Sequence, residues 1–299
     1  MPLNTLQRYL NYLEQDKQNV HLLLSISDCY WRLGDVESTK TYLYQAKQWS
    51  NNPFGLVHLE ARLLHHNQQV EEAIALLETS MNHCATNADA YGLLALLYFD
   101  INDESNAQKA ISTTLSLNPN HPNGLLVSLL LKSLHNQTTP DEIESLLTTQ
   151  PQESRLWFIL GTTQLRLMNC PAAEQALIKA TQLNPQSYDG WICLAWCHLL
   201  QNHLENAEVA YQFAISLDDD RVDGFGGLAI LNALRNQPSN ATHWLSEAQR
   251  RDAESFITKC AQMLLTHPLE EEKTQAQFND LFSEIITAQR IPSSSKEHS

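Results

Sequence analysis

Three histidines and an arginine stand nearest to chemistry in this sequence of 299 residues. His58, Arg62, His65 and His66 are separated by steps of three, four and seven, which place most of them on one face of a helix. Neutral imidazole is the commonest metal ligand, and its charge changes close to pH 7, so such a group suits cation binding or proton relay. No carboxylate or cysteine at a fitting spacing completes a ligand set. The preferred reading is a polar patch turned toward a partner. Cys193 and Cys197, four apart with His198 beside the second, offer a metal half-site, but both flank Trp196 in an apolar helix, where a thiol behaves as a small apolar group. No metal and no cofactor is expected.

Catalytic motifs are missing. The sequence has no Gly-Lys-Ser/Thr phosphate loop, no His-Glu-x-x-His pair and no Gly-x-Ser-x-Gly elbow, so the protein is expected not to be an enzyme. A net charge of −15, from 19 Lys and Arg against 34 Asp and Glu, leaves no basic stripe for phosphates and excludes nucleic acid. It favours basic partners, or the basic segments of partners. The six cysteines are scattered, unlike a disulfide framework, and no stretch is apolar for long enough to insert in a membrane. Met1 to Gln18 reads as an amphipathic helix, not a signal peptide. A cytoplasmic location is the expectation, which makes the glycosylation sequons at Asn136 and Asn240 accidental.

The elements that must position these residues repeat. Units beginning at Val20, Phe54, Ala88, Pro122, Ser154, Tyr188 and Val222 are separated by 34, 34, 34, 32, 34 and 34 residues, a spacing characteristic of solenoids. A bulky residue near the start (Tyr91, Trp157, Trp191, Phe225) is followed by pairs such as Leu94-Ala95, Leu160-Gly161, Leu194-Ala195 and Leu228-Ala229. The second half carries Ala73, Ala107, Ala173, Ala207 and Ala241, each followed four places later by a large residue, Leu77, Ile111, Leu177, Tyr211 or Leu245. Ala46, Ala180, Ala214 and Ala248 close their units. Small and large residues alternating on one helical stripe let two antiparallel helices interlock. Leu-Asn-Pro at 117–119 and 183–185 ends helices, because proline cannot continue one.

On these residues the chain resembles the tetratricopeptide-repeat family over about residues 20 to 255. The resemblance implies an all-α, right-handed superhelical solenoid of antiparallel helix pairs. It has seven repeats, an N-terminal capping helix over 1–19 and capping helices over 256–290. The first repeat departs from the pattern at Thr39, the second at Val57 and Glu60, and the fourth is two residues short. In that fourth unit Thr139-Pro140-Asp141-Glu142 has the form of a helix start, and the helix after it is expected to end near Gln150. The array is expected to bend or loosen there. Ala253 to Thr266 reads as a covering helix, about 269–290 as another with Phe278, Leu281 and Ile285 on one stripe, and 291–299 as a disordered tail.

The resemblance also implies that the first helix of each repeat lines a concave groove for a helical or extended protein segment. Carried over by position, the partner-binding residues are Leu24, Asp28 and Trp31, then His58, Arg62 and His65. Gly92, Leu96 and Phe99 follow, with Leu126 and Leu130 in the fourth repeat. Later units supply Arg155, Phe158, Thr162, Leu165 and Arg166, then Ile192, Trp196 and Leu199, and finally Asp223 and Ile230. Their apolar bias predicts an open hydrophobic face, with Arg62, Arg155 and Arg166 pairing with acidic groups. Neither a carboxylate clamp of Lys, Asn and Arg nor a ladder of asparagines is present at the equivalent positions. The expected function is a scaffold, adaptor or chaperone-like protein, with assembly of a secretion, pilus or cell-envelope machine as its setting. The alternative is a regulatory or targeting subunit of an enzyme.

Overall fold

The computed structural model describes residues 2–49, 54–84 and 87–266. Among these residues the regular structure is helical, in sixteen helices. They are α1 (Pro2–Gln15), α2 (Val20–Arg32), α3 (Val36–Trp49), α4 (Phe54–His66), α5 (Val70–Cys84), α6 (Ala88–Asp100), α7 (Glu104–Leu117) and α8 (Pro122–Leu134). Then follow α9 (Pro140–Leu147), α10 (Ser154–Arg166), α11 (Cys170–Leu183), α12 (Tyr188–Leu200), α13 (Leu204–Leu217), α14 (Val222–Leu234), α15 (Pro238–Asp252) and α16 (Phe256–Thr266). The stretches 269–290 and 291–299, expected as a capping helix and a tail, lie outside the described residues.

The backbone repeats as strictly as the sequence. Gly34, Gln68, Asn102, Asn136, Met168, Asn202 and Asn236 all have positive φ, between 55° and 77°. They stand 34, 34, 34, 32, 34 and 34 residues apart. Each lies just past a first helix, and the next amide reaches back five residues to a helix carbonyl: Asp103 N to Tyr98 O at 2.8 Å, His203 N to His198 O at 2.9 Å, Gln237 N to Asn232 O at 2.9 Å. This is the Schellman ending, whose left-handed residue favours Gly or Asn. It turns the chain sharply into the second helix of the pair.

Chain contacts divide the molecule into two compact units, one up to Ser128 and the other from Leu129. The boundary falls within α8, the first helix of the short fourth repeat. In the first unit α2 packs on α3, α4 on α5 and α6 on α7, while α1 packs on α2. Leu6 of α1 is buried with Ile26 and Cys29. In the second, α10 packs on α11, α12 on α13 and α14 on α15, and α16 packs on both α14 and α15. The small residues hold the pairs close: Ala73, Ala107, Ala173, Ala207 and Ala241 are fully buried. A β-carbon at Gly161 would come within 2.5 Å of Leu177, so that crossing admits only glycine without movement.

The irregular repeats are accommodated by polar chemistry. Thr39 is buried where Ala is usual, because its hydroxyl donates to Asp35 O at 2.7 Å and its carbonyl accepts from Ser27 at 2.9 Å. Glu60 stays at the surface and pairs with Lys47 at 2.6 Å. The eight-residue α9 starts with a complete capping box between Thr139 and Glu142, with proline in its first turn, and ends at Leu147, earlier than the sequence suggested.

Candidate functional site

In the first unit, side chains from α2, α4 and α6 build a polar row. Asp28 accepts from Arg62 Nη1 at 2.9 Å and from Arg32 Nε at 2.7 Å. The Arg62 guanidinium also lies 4.9 Å from the centre of the Trp31 ring, within reach of a cation–π attraction. One turn further along α4, His65 Nε2 meets Asp100 Oδ2 at 2.7 Å, and Asp100 is buried. His121, just before α8, meets Asp89 Oδ1 at 2.9 Å. His58 is placed so that Arg62, Asp89, Asp28 and His121 all act on its charge. Burial pushes its pKa down and Arg62 adds to this, while the two aspartates oppose it. Asp28, Trp31, His58, Arg62 and His65 are all partly exposed. Leu24 is also half-buried, but it packs against the core formed by Leu23, Leu43 and Leu56.

The apolar part of the expected face is placed differently. Leu96, Phe99 and Leu126 are buried in the first unit. In the second, Leu130, Phe158, Leu165, Ile192, Trp196, Leu199 and Ile230 are buried as well. An open hydrophobic face at these positions was expected, and the structure corrects that expectation. First helices of successive repeats touch, α10 with α12 and α12 with α14, and α16 lies against α14, so these side chains are withdrawn from water. Trp196, at 1% exposure, has its ring edge-on to Tyr211 with centres 6.1 Å apart. Gly92 is buried against His121.

The remaining polar positions are engaged locally. Arg155 Nε pairs with Glu153 at 2.9 Å, and the Thr162 hydroxyl donates to Phe158 O at 3.1 Å within its own helix. Arg166 donates to the carbonyl of Thr138 at 3.2 Å. Asp223 is half-buried, 3.4 Å from Arg221, and burial raises its pKa against the pull of that arginine.

Two family models described as tetratricopeptide repeat match the chain, over residues 88–121 and 158–220. Solved structures agree. PilF of Pseudomonas aeruginosa is 15% identical over 69% of this chain and 95% of its own, with a TM-score of 0.55. PilW, a type IV pilus biogenesis factor, is 17% identical over 71% of this chain and 99% of its own, at 0.54. The anaphase-promoting-complex hetero-tetramer Cut9–Hcn1 matches at 14% identity and 0.65, over 89% of this chain. Over residues 88–121 and 158–220 the chain carries tetratricopeptide repeats. The Cut9–Hcn1 match spans 53% of that chain, about half its length, and at such identities the likeness is one of fold. Comparison with curated sequences finds no match.

Placed in tetratricopeptide register, the pairs that sequence reasoning missed become legible. His121 and Arg221 are each the last residue before a new repeat, and each reaches back 32 residues to the second residue of a first helix, Asp89 or Asp189. Arg221 Nη2 meets Asp189 Oδ1 at 2.7 Å, and its guanidinium stacks 4.0 Å from the centre of the Tyr188 ring. Burial opposes its charge, but hydrogen bonding and the charge of Asp189 prevail and raise its pKa. Acid at the second position with histidine or arginine just before the next repeat was the signal available. Asp100, the partner of His65, lies 35 residues away, beyond any search for ligands along one helix.

Proposed function

We propose that this protein is a non-enzymatic scaffold or adaptor that holds a segment of another protein, helical or extended, against the first helices of its N-terminal repeats. The polar row carries this reading. Asp28, Trp31, Arg62 and His65 remain partly exposed on adjacent first helices, and Asp89 stands largely in water. Arg62 and His65 are already matched by Asp28 and Asp100. The charge left to a partner is therefore the negative surplus of the chain, −15 overall. A segment bearing lysine or arginine fits it, with an apolar side chain laid on Trp31. The arrangement has the polar character of peptide-binding rims, and no set of groups in it forms a nucleophile with its base.

The partner is a component of an assembling machine, with a chaperone-like role in its delivery. The fold shared with a type IV pilus biogenesis factor supports a secretion, pilus or cell-envelope setting. Among the described residues no helix is long and apolar enough to cross a membrane. We place the protein in the cytoplasm, a reading supported by cysteines that are spread over α2, α11, α12 and α16 and mostly buried.

The test is capture of partners from the native source by the intact chain, by Trp31→Ala and by Asp28→Asn/Asp89→Asn, with circular dichroism as the check on folding. We expect one dominant basic-segment partner, weakened at least tenfold by either variant and by added salt. Equal capture by folded variants overturns the site. Recovery of a catalytic polypeptide would give the regulatory-subunit function instead.

A further inference from the structure

Glu174, His198 and His203 come together in the second unit, and nothing in the partner-binding function uses them. Glu174 lies on α11, His198 in the last turn of α12, and His203 just before α13. One ligand atom from each lies within 4.8 Å of the others. The Schellman turn at Asn202 brings this about, by folding His203 back so that its amide bonds to His198 O.

The second observation is His198 itself. It is more than nine-tenths buried, and its Nδ1 makes no hydrogen bond. That atom lies 3.6 Å from Glu174 Oε1, too far for a hydrogen bond. It is close to the ~3.3 Å that two ligands with bonds of about 2.0–2.1 Å keep around one tetrahedral cation. The other carboxylate oxygen, Oε2, accepts from Gln201 Nε2 at 2.6 Å, the kind of outer contact that fixes a metal-binding carboxylate. The nearby thiols do not compete. Cys197 Sγ donates to Cys170 O at 3.2 Å. Cys193 is wholly buried, and burial raises its pKa well above the usual range. The half-site weighed from the sequence, Cys193 and Cys197 with His198, is thus replaced by His198 with a carboxylate and a second histidine.

We propose that Glu174, His198 and His203 bind a divalent cation of the zinc class, with the fourth position open to water beside the exposed His203. Two imidazoles and one carboxylate suit zinc better than magnesium or calcium, which prefer oxygen alone.

Chelator-treated full-length chain is titrated with zinc chloride by calorimetry, and thermal unfolding is recorded with and without the metal. Wild type should take up one equivalent at this site and unfold at a higher temperature when it is occupied. His203→Ala, a change at an exposed residue, should lose that equivalent and the thermal shift while keeping its helical signal. Gln201→Ala should weaken binding by about 10- to 100-fold. No uptake by wild type, or the same stoichiometry and affinity in folded His203→Ala, overturns the site. Binding at the histidines of the polar row would show itself as an equivalent that survives His203→Ala.

Discussion

Two in-register pairs, one in each compact unit, solve the same problem in opposite ways. In the first unit His121 is 6% exposed and its partner Asp89 68%, so the ring is inside and the carboxylate is in water. In the second unit Asp189 is 6% exposed and Arg221 37%, so the carboxylate is inside under a permanent cation. The slot in the repeat is identical. What differs is which member of the pair is buried. An imidazole can be buried neutral at modest cost, whereas a buried carboxylate needs a cation that stays charged. The same contrast runs along the inner faces: polar and partly open around Arg62, apolar and closed around Trp196.

The largest expected effect tests that contrast directly. Trp196→Ala should destabilise the chain by about 3–5 kcal/mol, the range for a fully buried aromatic. Trp31→Ala should cost less than half of that, since Trp31 is only partly buried. Urea denaturation of both variants checks this, and equal losses would erase the distinction between an open and a closed face. A charged residue at Phe158 or Trp196 should likewise unfold the second unit before it tells anything of binding.

Next in size is Arg221→Met. Leaving Asp189 without its cation should cost about 2–4 kcal/mol, below the full range for a buried pair because water reaches part of the guanidinium. In the equivalent slot His121→Gln should cost about 1 kcal/mol, the worth of one hydrogen bond, since Asp89 is already solvated. If the two variants lose the same stability, the pairs do not differ as their burial implies.

How much of this was legible in the sequence follows from what each feature depends on. Helix starts at Val20, Phe54, Ala88, Pro122, Ser154, Tyr188 and Val222 coincide with the starts of the 34-residue period, because small and large residues on one stripe are local facts. Exposure of the groove positions was not local. Whether Trp196 faces water depends on how closely α12 approaches α14 and how Tyr211 is turned, which the residue pattern of one helix does not contain. His65 with Asp100, and Glu174 with His203, join separate helices and became visible only once the turns were fixed. The polar character of His58, Arg62 and His65 was legible, and its partners were not.

A smaller effect depends on pH. Burial lowers the pKa of His58, where Arg62, Asp28, Asp89 and His121 also act on it. The folded chain therefore holds the neutral ring, and the unfolded chain binds its proton first. Stability linked to His58 is full above the ordinary histidine pKa and is lost as pH falls through it toward the lowered folded value. Unfolding measured from pH 8 to 5 should show this loss, and His58→Gln should flatten it. An unchanged slope in the variant would remove His58 from the account and leave the acid sensitivity elsewhere.

The smallest effect concerns a feature the two units share. Of the seven left-handed turn residues, five are Gly or Asn, and two are not: Gln68 in the first unit and Met168 in the second. Both hold φ near 60°, a conformation that crowds a β-carbon against the backbone and that Gly adopts freely. Met168 is largely exposed, so little packing offsets the strain. Met168→Gly should therefore stabilise by about 0.5–1 kcal/mol, the relief of strain exceeding the entropy that glycine gains in the unfolded chain. Gln68→Gly should do the same by a similar amount. Matching gains would show that the turn is an independent device repeated along the chain, while the side-chain chemistry of the two faces diverges around it. A gain at one position and a loss at the other would instead tie the turn to the unit it closes.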